Sequence, residues 1–197
     1  MTALILASAS ASRSALLTGA GLKHDKIPAH LDEDAIKDQC LLRGHSPKSV
    51  ALRLAEAKAL HVSKSHAGLV LGGDQVLQLG QDLISKSPDL IAARALLKAM
   101  SGQTHYLHAG LALAESGHLV WSHVETAEMT VRPLTDAFID TYLEQAGDSI
   151  LSSVGCYHLE GAGVNLFDTI QGDYFTVLGL PLLPLLAQLR HMKVMSA

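Results

Sequence analysis

The feature that most constrains the fold is a pair of long apolar stretches with no room for a helix between them. They run from His108 to Ala114 and from Leu119 to Val131, and Glu115-Ser116-Gly117 joins them. This pattern predicts two consecutive strands. Earlier in the chain, short apolar runs alternate with helical stretches. Together these patterns predict an α/β fold with a mixed sheet and helices on its faces, rather than a purely parallel, doubly wound sheet.

The composition is that of a globular chain with no general affinity for polyanions. Of the 197 residues, 48% are hydrophobic and 17% are charged, which suffices to bury a core in one domain or in two small lobes that share one. The 15 Lys and Arg against 19 Asp and Glu give a net charge of −4. This balance argues against nucleic acid and anionic membranes as partners, but a small anion needs only a few local cations.

No segment indicates export or membrane insertion. The run from Val177 to Leu189 is broken by one glycine and two prolines and is shorter than the roughly 20 residues of a spanning helix. Met1 to Ser10 lacks the basic region of a signal peptide. Cys40 and Cys156 are expected to be partly buried thiols, and the eleven histidines are expected mostly at the surface or in loops. We therefore expect a cytoplasmic protein.

Capping residues, glycines and prolines mark the other elements. Ser46-Pro47 combines an N-cap with proline at the first helical position and predicts a helix to about His61. The other predicted helices run from Ala15 to about Gly19, from Leu90 to Met100, from Thr135 to about Gln145, and onward from Gly179-Leu180-Pro181. The other predicted strands are Ala3–Leu6, Leu69–Leu71, Val76–Leu79, Val164–Ile170 and Tyr174–Leu178.

Three features indicate a binding site. The Ser- and Ala-rich loop from Ser8 to Ser14 connects a strand to a helix, where free backbone N–H groups favour an anion. Asp74 follows a buried strand and two glycines, which suits either a catalytic carboxylate at a strand end or a turn residue. Lys58 lies near the inner face of its helix, where it either snorkels to the rim, the more common arrangement, or points into a cleft.

Nine local patterns occur in one order along the chain. They are Leu4-Ile5-Leu6-Ala7-Ser8-Ala9-Ser10 with Arg13, Asp32-Glu33, Arg53-Leu54-Ala55 with Lys58-Ala59, Gly73-Asp74-Gln75, Lys86, Ser101-Gly102-Gln103-Thr104-His105, Glu160-Gly161, Gly172-Asp173-Tyr174-Phe175, and Val177-Leu178-Gly179-Leu180-Pro181-Leu182. In this order they resemble the Maf family of nucleotide pyrophosphatases. The resemblance covers essentially the whole chain, and the ordered set is more specific than any one pattern.

The resemblance implies an enzyme that hydrolyses a canonical or modified nucleoside triphosphate between its α- and β-phosphates. The products are a monophosphate and pyrophosphate, the cofactor is a divalent metal (Mg or Mn), and the role is housecleaning of the nucleotide pool. It also implies a single domain over residues 1–197 with a Maf/ITPase-like fold, an elongated mixed β-sheet flanked by helices, with two lobes around a central cleft. A homodimer is a further expectation from the family.

The matching residues suit these roles chemically. A triphosphate needs cations, and Arg can bind phosphate bidentately while Lys acts as a point charge. Glu33 and Asp74 are the expected metal ligands, because magnesium prefers oxygen donors. Asp74 is also the expected general base that accepts a proton from the attacking water. The expected phosphate-binding residues are Ser8, Ser10, Arg13, Lys58 and Lys86.

The chain departs from the family pattern near the expected substrate. Relatives often have Pro at the position of Ala11, Arg or Trp at that of Ser12, and Arg at that of Ser14. Lys86-Ser87-Pro88 replaces Lys-Pro. At least one cation or aromatic ring is therefore missing. This keeps a second interpretation open, in which the protein is a non-catalytic regulator of cell division that binds nucleotides without hydrolysing them.

Three positions are associated with substrate choice in the family, and here they read Ser12, Gln75 and Glu160. Gln75 and Glu160 resemble the 7-methyl-GTP branch, whereas Ser12 fits neither that branch nor the dTTP/UTP branch. An ionised Glu160 can only accept hydrogen bonds, while Gln75 can donate and accept. The pair therefore favours a guanine-type base over a pyrimidine.

Overall fold

The computed structural model describes residues 3–195 and divides into two compact units. The first unit contains the described residues up to Gln75, His108–Glu125 and the described residues from Asp173 onward. The second unit contains Val76–Leu107 and Thr126–Gly172. The single domain with a central cleft between two lobes stays a prediction.

Seven strands form one mixed sheet, which confirms the predicted α/β class. They are β1 Leu4–Leu6, β2 Asp25–Lys26, β3 Leu69–Leu79, β4 Asp82–Ile84, β5 Thr104–Glu115, β6 His118–Val131 and β7 Phe167–Gln171. The order is β2-β1-β3-β5-β6-β7, and β4 pairs with β3. β1 is parallel to β2 and β3, whereas the β3–β4 and β6–β7 pairs are antiparallel.

The core of the first unit covers both faces of β1 and β3. Leu4 and Leu6 belong to one buried leucine-rich cluster, whereas Ile5 belongs to another. The same alternation holds in β3, where Val70 joins the cluster of Ile5. Strands that are buried on both faces read as continuous apolar runs, which is why these two were recognisable in the sequence.

Side-chain caps begin most of the helices. The helices are α1 Ala11–Gly19, α2 Glu33–Leu42, α3 Pro47–Ser63, α4 Leu90–Met100, α5 Asp136–Ala146, α6 Tyr174–Val177 and α7 Leu182–His191. The predicted N-cap Ser46 accepts a hydrogen bond from the Ser49 amide at 3.3 Å. Across residues 3–195, none of the helices has the length and apolar character needed to cross a membrane. Cys40 and Cys156 are both buried and both unpaired.

Two predicted strands contain helical turns in the structure. Tyr174–Leu178 was expected as a strand, but Tyr174–Val177 forms the short helix α6. The Asp173 carboxylate causes this, because it accepts hydrogen bonds from the amides of Phe175 and Thr176 at 2.9 and 3.2 Å and caps the turn. In the predicted strand Val164–Ile170, the first part is a 3-10 turn, and the strand begins only at Phe167.

The acidic pair Asp32-Glu33 begins a helix, α2, that the sequence analysis missed. The Asp32 side chain accepts a hydrogen bond from the Ala35 amide at 2.9 Å and so acts as the N-cap. Glu33 is the first helical residue. The two neighbouring carboxylates therefore have different tasks, and only Glu33 is available for a site.

His105 and His108 are buried, whereas the other nine histidines are exposed or partly exposed, as expected for most of them. Burial lowers the pKa of His105 to about 4. Its Nε2 lies 2.7 Å from the Tyr157 hydroxyl, and its buried Nδ1 has no hydrogen-bond partner among residues 3–195. A charged imidazolium is therefore disfavoured in the folded chain.

This burial predicts a loss of stability in acid. The unfolded chain takes up a proton on His105 near pH 6.5, whereas the folded chain does so only near pH 4. Protonation therefore favours the unfolded chain, and the free energy of unfolding falls as pH drops from about 6.5 to about 4. We expect this group to contribute a loss of about 2 kcal/mol between roughly pH 7 and pH 4.5. Urea unfolding of wild type and His105→Phe at both pH values measures it. An equal pH dependence in the two proteins would contradict it.

Candidate active site

Lys58 lies between two carboxylates in the first unit. Its Nζ is 2.6 Å from Asp74 Oδ1 on β3 and 2.8 Å from Glu33 Oε1 at the start of α2. The Lys58 and Asp74 side chains are only 8% and 9% exposed, whereas that of Glu33 is 39% exposed. The snorkelling interpretation of Lys58 is therefore wrong, because the side chain is buried and its ammonium contacts two carboxylates.

Small residues make this approach possible. A Cβ at Gly72 would collide with the Ala55 carbonyl oxygen and would lie 2.7 Å from the Ala59 nitrogen of α3. Helix α3 therefore packs directly on the backbone of β3. Asp74 follows two positions later within the continuous strand, and not at a strand end as predicted. Its carboxylate then meets the lysine that precedes Ala59.

Arg13 on α1 belongs to the same group. Its Nε donates to the Gly179 carbonyl oxygen at 2.8 Å, and its Nη1 donates to Ser8 Oγ at 3.0 Å. Burial lowers the pKa of Arg13, and the nearby charges of Asp74 and Glu33 oppose that shift. The side chain lies over Gly73, where an added Cβ would be 3.2 Å from Arg13 Cδ.

The serine loop is shorter than expected. Helix α1 begins at Ala11, so only the part before it is free loop. The buried Ser8 hydroxyl accepts a hydrogen bond from the Ser10 amide at 3.2 Å. Ser10 Oγ accepts one from the Arg13 amide at 3.3 Å and caps α1. These two hydroxyls organise the loop and the start of the helix, and their binding to phosphate stays a prediction.

Gln75 has a fixed orientation. Its Nε2 donates to the carbonyl oxygens of Thr176 at 2.9 Å and Val177 at 3.1 Å. Both amide hydrogens are therefore used, and Oε1 remains as an acceptor. This corrects the expectation that Gln75 could also donate to a bound base.

Lys86 and Glu160 lie in the second unit, and both are exposed. Their expected contributions to phosphate and base binding stay predictions. Ser12 is half-buried on α1. The structure thus brings together Ser8, Arg13, Glu33, Lys58 and Asp74 within the first unit.

The comparison with known families decides the relationship. The family model described as Maf-like protein matches residues 3–192. The chain belongs to the Maf family. This Maf-like protein is 48% identical over 195 residues to a 7-methyl-GTP pyrophosphatase of Rhizobium meliloti (strain 1021), with 98% of each chain covered.

Two further relatives of this Maf-like protein carry related names. A nucleoside triphosphate pyrophosphatase of Hyphomonas neptunium (strain ATCC 15444) is 45% identical, with 98% of each chain covered. A 7-methyl-GTP pyrophosphatase of Brucella suis biovar 1 (strain 1330) is 49% identical, with 96% of each chain covered.

Glu33 and Asp74 are the donors expected for the divalent metal of a Maf-like protein. Magnesium prefers carboxylate oxygens and completes its shell with waters and substrate phosphates. Glu33 and Asp74 place one carboxylate oxygen each within 3 Å of the same Lys58 nitrogen. In residues 3–195, no three or more His, Cys, Asp or Glu side chains group to hold a metal. The two carboxylates are suitable donor types for magnesium, and their binding of a metal together with substrate phosphates stays a prediction.

The sequence analysis missed the acceptors that hold Arg13 and Gln75. These are backbone carbonyl oxygens of Thr176, Val177 and Gly179. A carbonyl oxygen leaves no residue-type signal, since every residue has one. The sequence analysis assigned the run Val177 to Leu182 to the end of a predicted strand, to the start of a helix and to a family pattern, but not to side-chain contacts at the site.

Proposed function

We propose that this Maf-like protein is a nucleoside triphosphate pyrophosphatase. Water is added across the bond between the α- and β-phosphates, and a nucleoside monophosphate and pyrophosphate are released. The observation that carries the proposal is the buried Lys58, which is held between Asp74 and Glu33 with Arg13 close by. The names of relatives at 45–49% identity support the same reaction class.

The charges in this group suit a polyphosphate. Arg13 and Lys58 attract the anionic substrate, and Lys86 is expected to add a third cation. Glu33 and Asp74 would hold a divalent ion, which would neutralise phosphate charge and bind water when present. The Asp74 carboxylate then orients the attacking water and accepts its proton.

Pyrophosphate release tests the proposal. Purified protein is incubated with GTP, 7-methyl-GTP, ATP, CTP, UTP and dTTP, each with magnesium, manganese or cobalt, and with a chelator as control. We expect metal-dependent release from at least one nucleotide. Binding of nucleotide without release under every condition would overturn the enzyme and favour the alternative, a non-catalytic regulator of cell division.

We further propose a guanine-type substrate. Both donors of Gln75 are used by backbone carbonyl oxygens, so the residue offers a bound base only its Oε1. An ionised Glu160 would also act only as an acceptor. The Watson–Crick edge of guanine presents N–H donors at N1 and at the amino group, whereas uracil and thymine present one N–H between two carbonyl oxygens. Two of the relatives described above are named for 7-methyl-GTP.

The base preference is expected to depend on Glu160. In wild type, kcat/KM for GTP or 7-methyl-GTP should exceed that for UTP and dTTP by about tenfold or more, the value of one charge-assisted hydrogen bond. Glu160→Gln should narrow this ratio because the amide adds a donor. A preference for UTP or dTTP in wild type would contradict the assignment of the base. A guanine preference unchanged in Glu160→Gln would show that Glu160 does not contact the base.

A further inference from the structure

A short backbone segment holds two of the candidate substrate-binding side chains. We call residues Thr176-Val177-Leu178-Gly179 the strap. The strap accepts both amide hydrogens of Gln75, at the Thr176 and Val177 carbonyl oxygens. It also accepts the Arg13 Nε–H at the Gly179 carbonyl oxygen, at 2.8 Å.

The fit between the strap and these side chains is close. Gly179 has φ +87°, a conformation that favours glycine, and a Cβ there would lie 3.4 Å from Gln75 Oε1 and 3.5 Å from Arg13 Nη2. A small displacement of the strap would therefore move both side chains.

One side chain outside the strap ties it to the sheet. The Thr176 hydroxyl is fully buried and donates to Glu125 Oε2 on β6 at 2.7 Å. The other carboxylate oxygen, Oε1, lies 3.2 Å from His123 Nε2, and the His123 ring stacks on Trp121. One carboxylate oxygen of Glu125 thus contacts His123, and the other holds the strap through Thr176.

We propose that Glu125 is a positioning residue for substrate recognition. Through the Thr176 hydroxyl it fixes the strap, and the strap orients Gln75 towards the base and Arg13 towards the phosphates. The kinetic consequence rests on the proposed function, whereas the orientation of Gln75 does not. When Gln75 and Arg13 are no longer held in place, they bind the substrate less tightly, because ordering them on binding then costs entropy.

Paired variants test this role. Thr176→Val and Glu125→Leu remove the donor and the acceptor, whereas Thr176→Ser and Glu125→Gln keep a hydroxyl and an acceptor oxygen. We expect the first pair to lose about tenfold in kcat/KM for the preferred triphosphate, mainly through KM, and to discriminate less between GTP and UTP. The second pair should retain most of both. The double variant Thr176→Val/Glu125→Leu should lose less kcat/KM than the two single losses combined, because both single variants break the same Thr176–Glu125 hydrogen bond.

A second measurement does not need turnover. Exchange of the Gln75 side-chain amide hydrogens, followed by NMR, should be slow in wild type, Thr176→Ser and Glu125→Gln, and faster in Thr176→Val and Glu125→Leu. Unchanged exchange would overturn the proposal even if wild type hydrolyses no triphosphate. A fall in melting temperature with unchanged exchange and an unchanged GTP/UTP ratio would show a purely structural role and would also overturn it. If wild type is active and all variants match it in kcat/KM and in amide exchange, the positioning role of Glu125 is overturned while the proposed function stands.

Discussion

Replacement of Asp74 by Asn is expected to lower kcat by about two orders of magnitude or more, the range for loss of a general base. The amide has nearly the same shape, but it cannot accept the proton of the attacking water. It also weakens the charged contact with Lys58, which keeps Glu33 as a partner at 2.8 Å. Steady-state pyrophosphate release with the preferred nucleotide measures the loss.

Asp32→Asn provides the matched control for this variant. Asp32 lies in the neighbouring acidic pair, but its side chain caps α2, and Asn caps helices about equally well. Its kcat should stay near that of wild type. Near-normal turnover in correctly folded Asp74→Asn would assign proton transfer to another group, and Glu33→Gln would be the next variant to measure.

Replacement of Lys58 by Met is expected to affect both stability and activity. Met keeps most of the apolar stem, but the buried Asp74 carboxylate loses the ammonium that it contacts. The ammonium also no longer offsets the repulsion between the charges of Asp74 and Glu33. Removal of one partner from a buried pair typically costs about 3 kcal/mol or more, and we expect a loss of about that size without divalent metal. In the folded fraction, kcat/KM should fall by about a hundredfold, because a charge that stabilises the phosphates is lost.

Lys86→Met is the control, because it makes the same change at an exposed lysine. Its free energy of unfolding should stay within about 0.5 kcal/mol of wild type, while its substrate binding weakens. Magnesium or manganese should raise the melting temperature of Lys58→Met more than that of wild type, because the two carboxylates then lack their ammonium. Unchanged stability of Lys58→Met, with or without metal, would contradict the importance of the buried pair.

Strong local signals made most of the fold predictable. The strands β1 and β3 are buried on both faces, and α3 and α4 have side-chain caps in the sequence. Weak or competing signals produced the errors. In α6 a single capping carboxylate, Asp173, outweighed the apolar pattern of the four residues that follow it. In β3 two glycines suggested a break, although they serve to admit α3 and the Arg13 side chain.

The candidate site was partly predictable because its chemistry depends on residue types. The order of Arg13, Glu33, Lys58 and Asp74 along the chain resembles the Maf family, and the resemblance implied cations and carboxylates for a triphosphate and its metal. The sequence could not show which charges pair with each other in the folded chain. It left Lys58 either at the rim or in a cleft, and it treated Gln75 as free to donate.

By itself the sequence determined the mixed α/β class, the family, and the residue types available for catalysis, because periodicity, caps and ordered patterns are local properties of the chain. Only the tertiary structure decided that one buried ammonium joins Asp74 to Glu33, and that backbone carbonyl oxygens of the strap hold Arg13 and Gln75. These contacts join residues separated by 16 to 166 positions. Pairing over such separations depends on how helices pack on the sheet, and a local pattern carries no record of that packing.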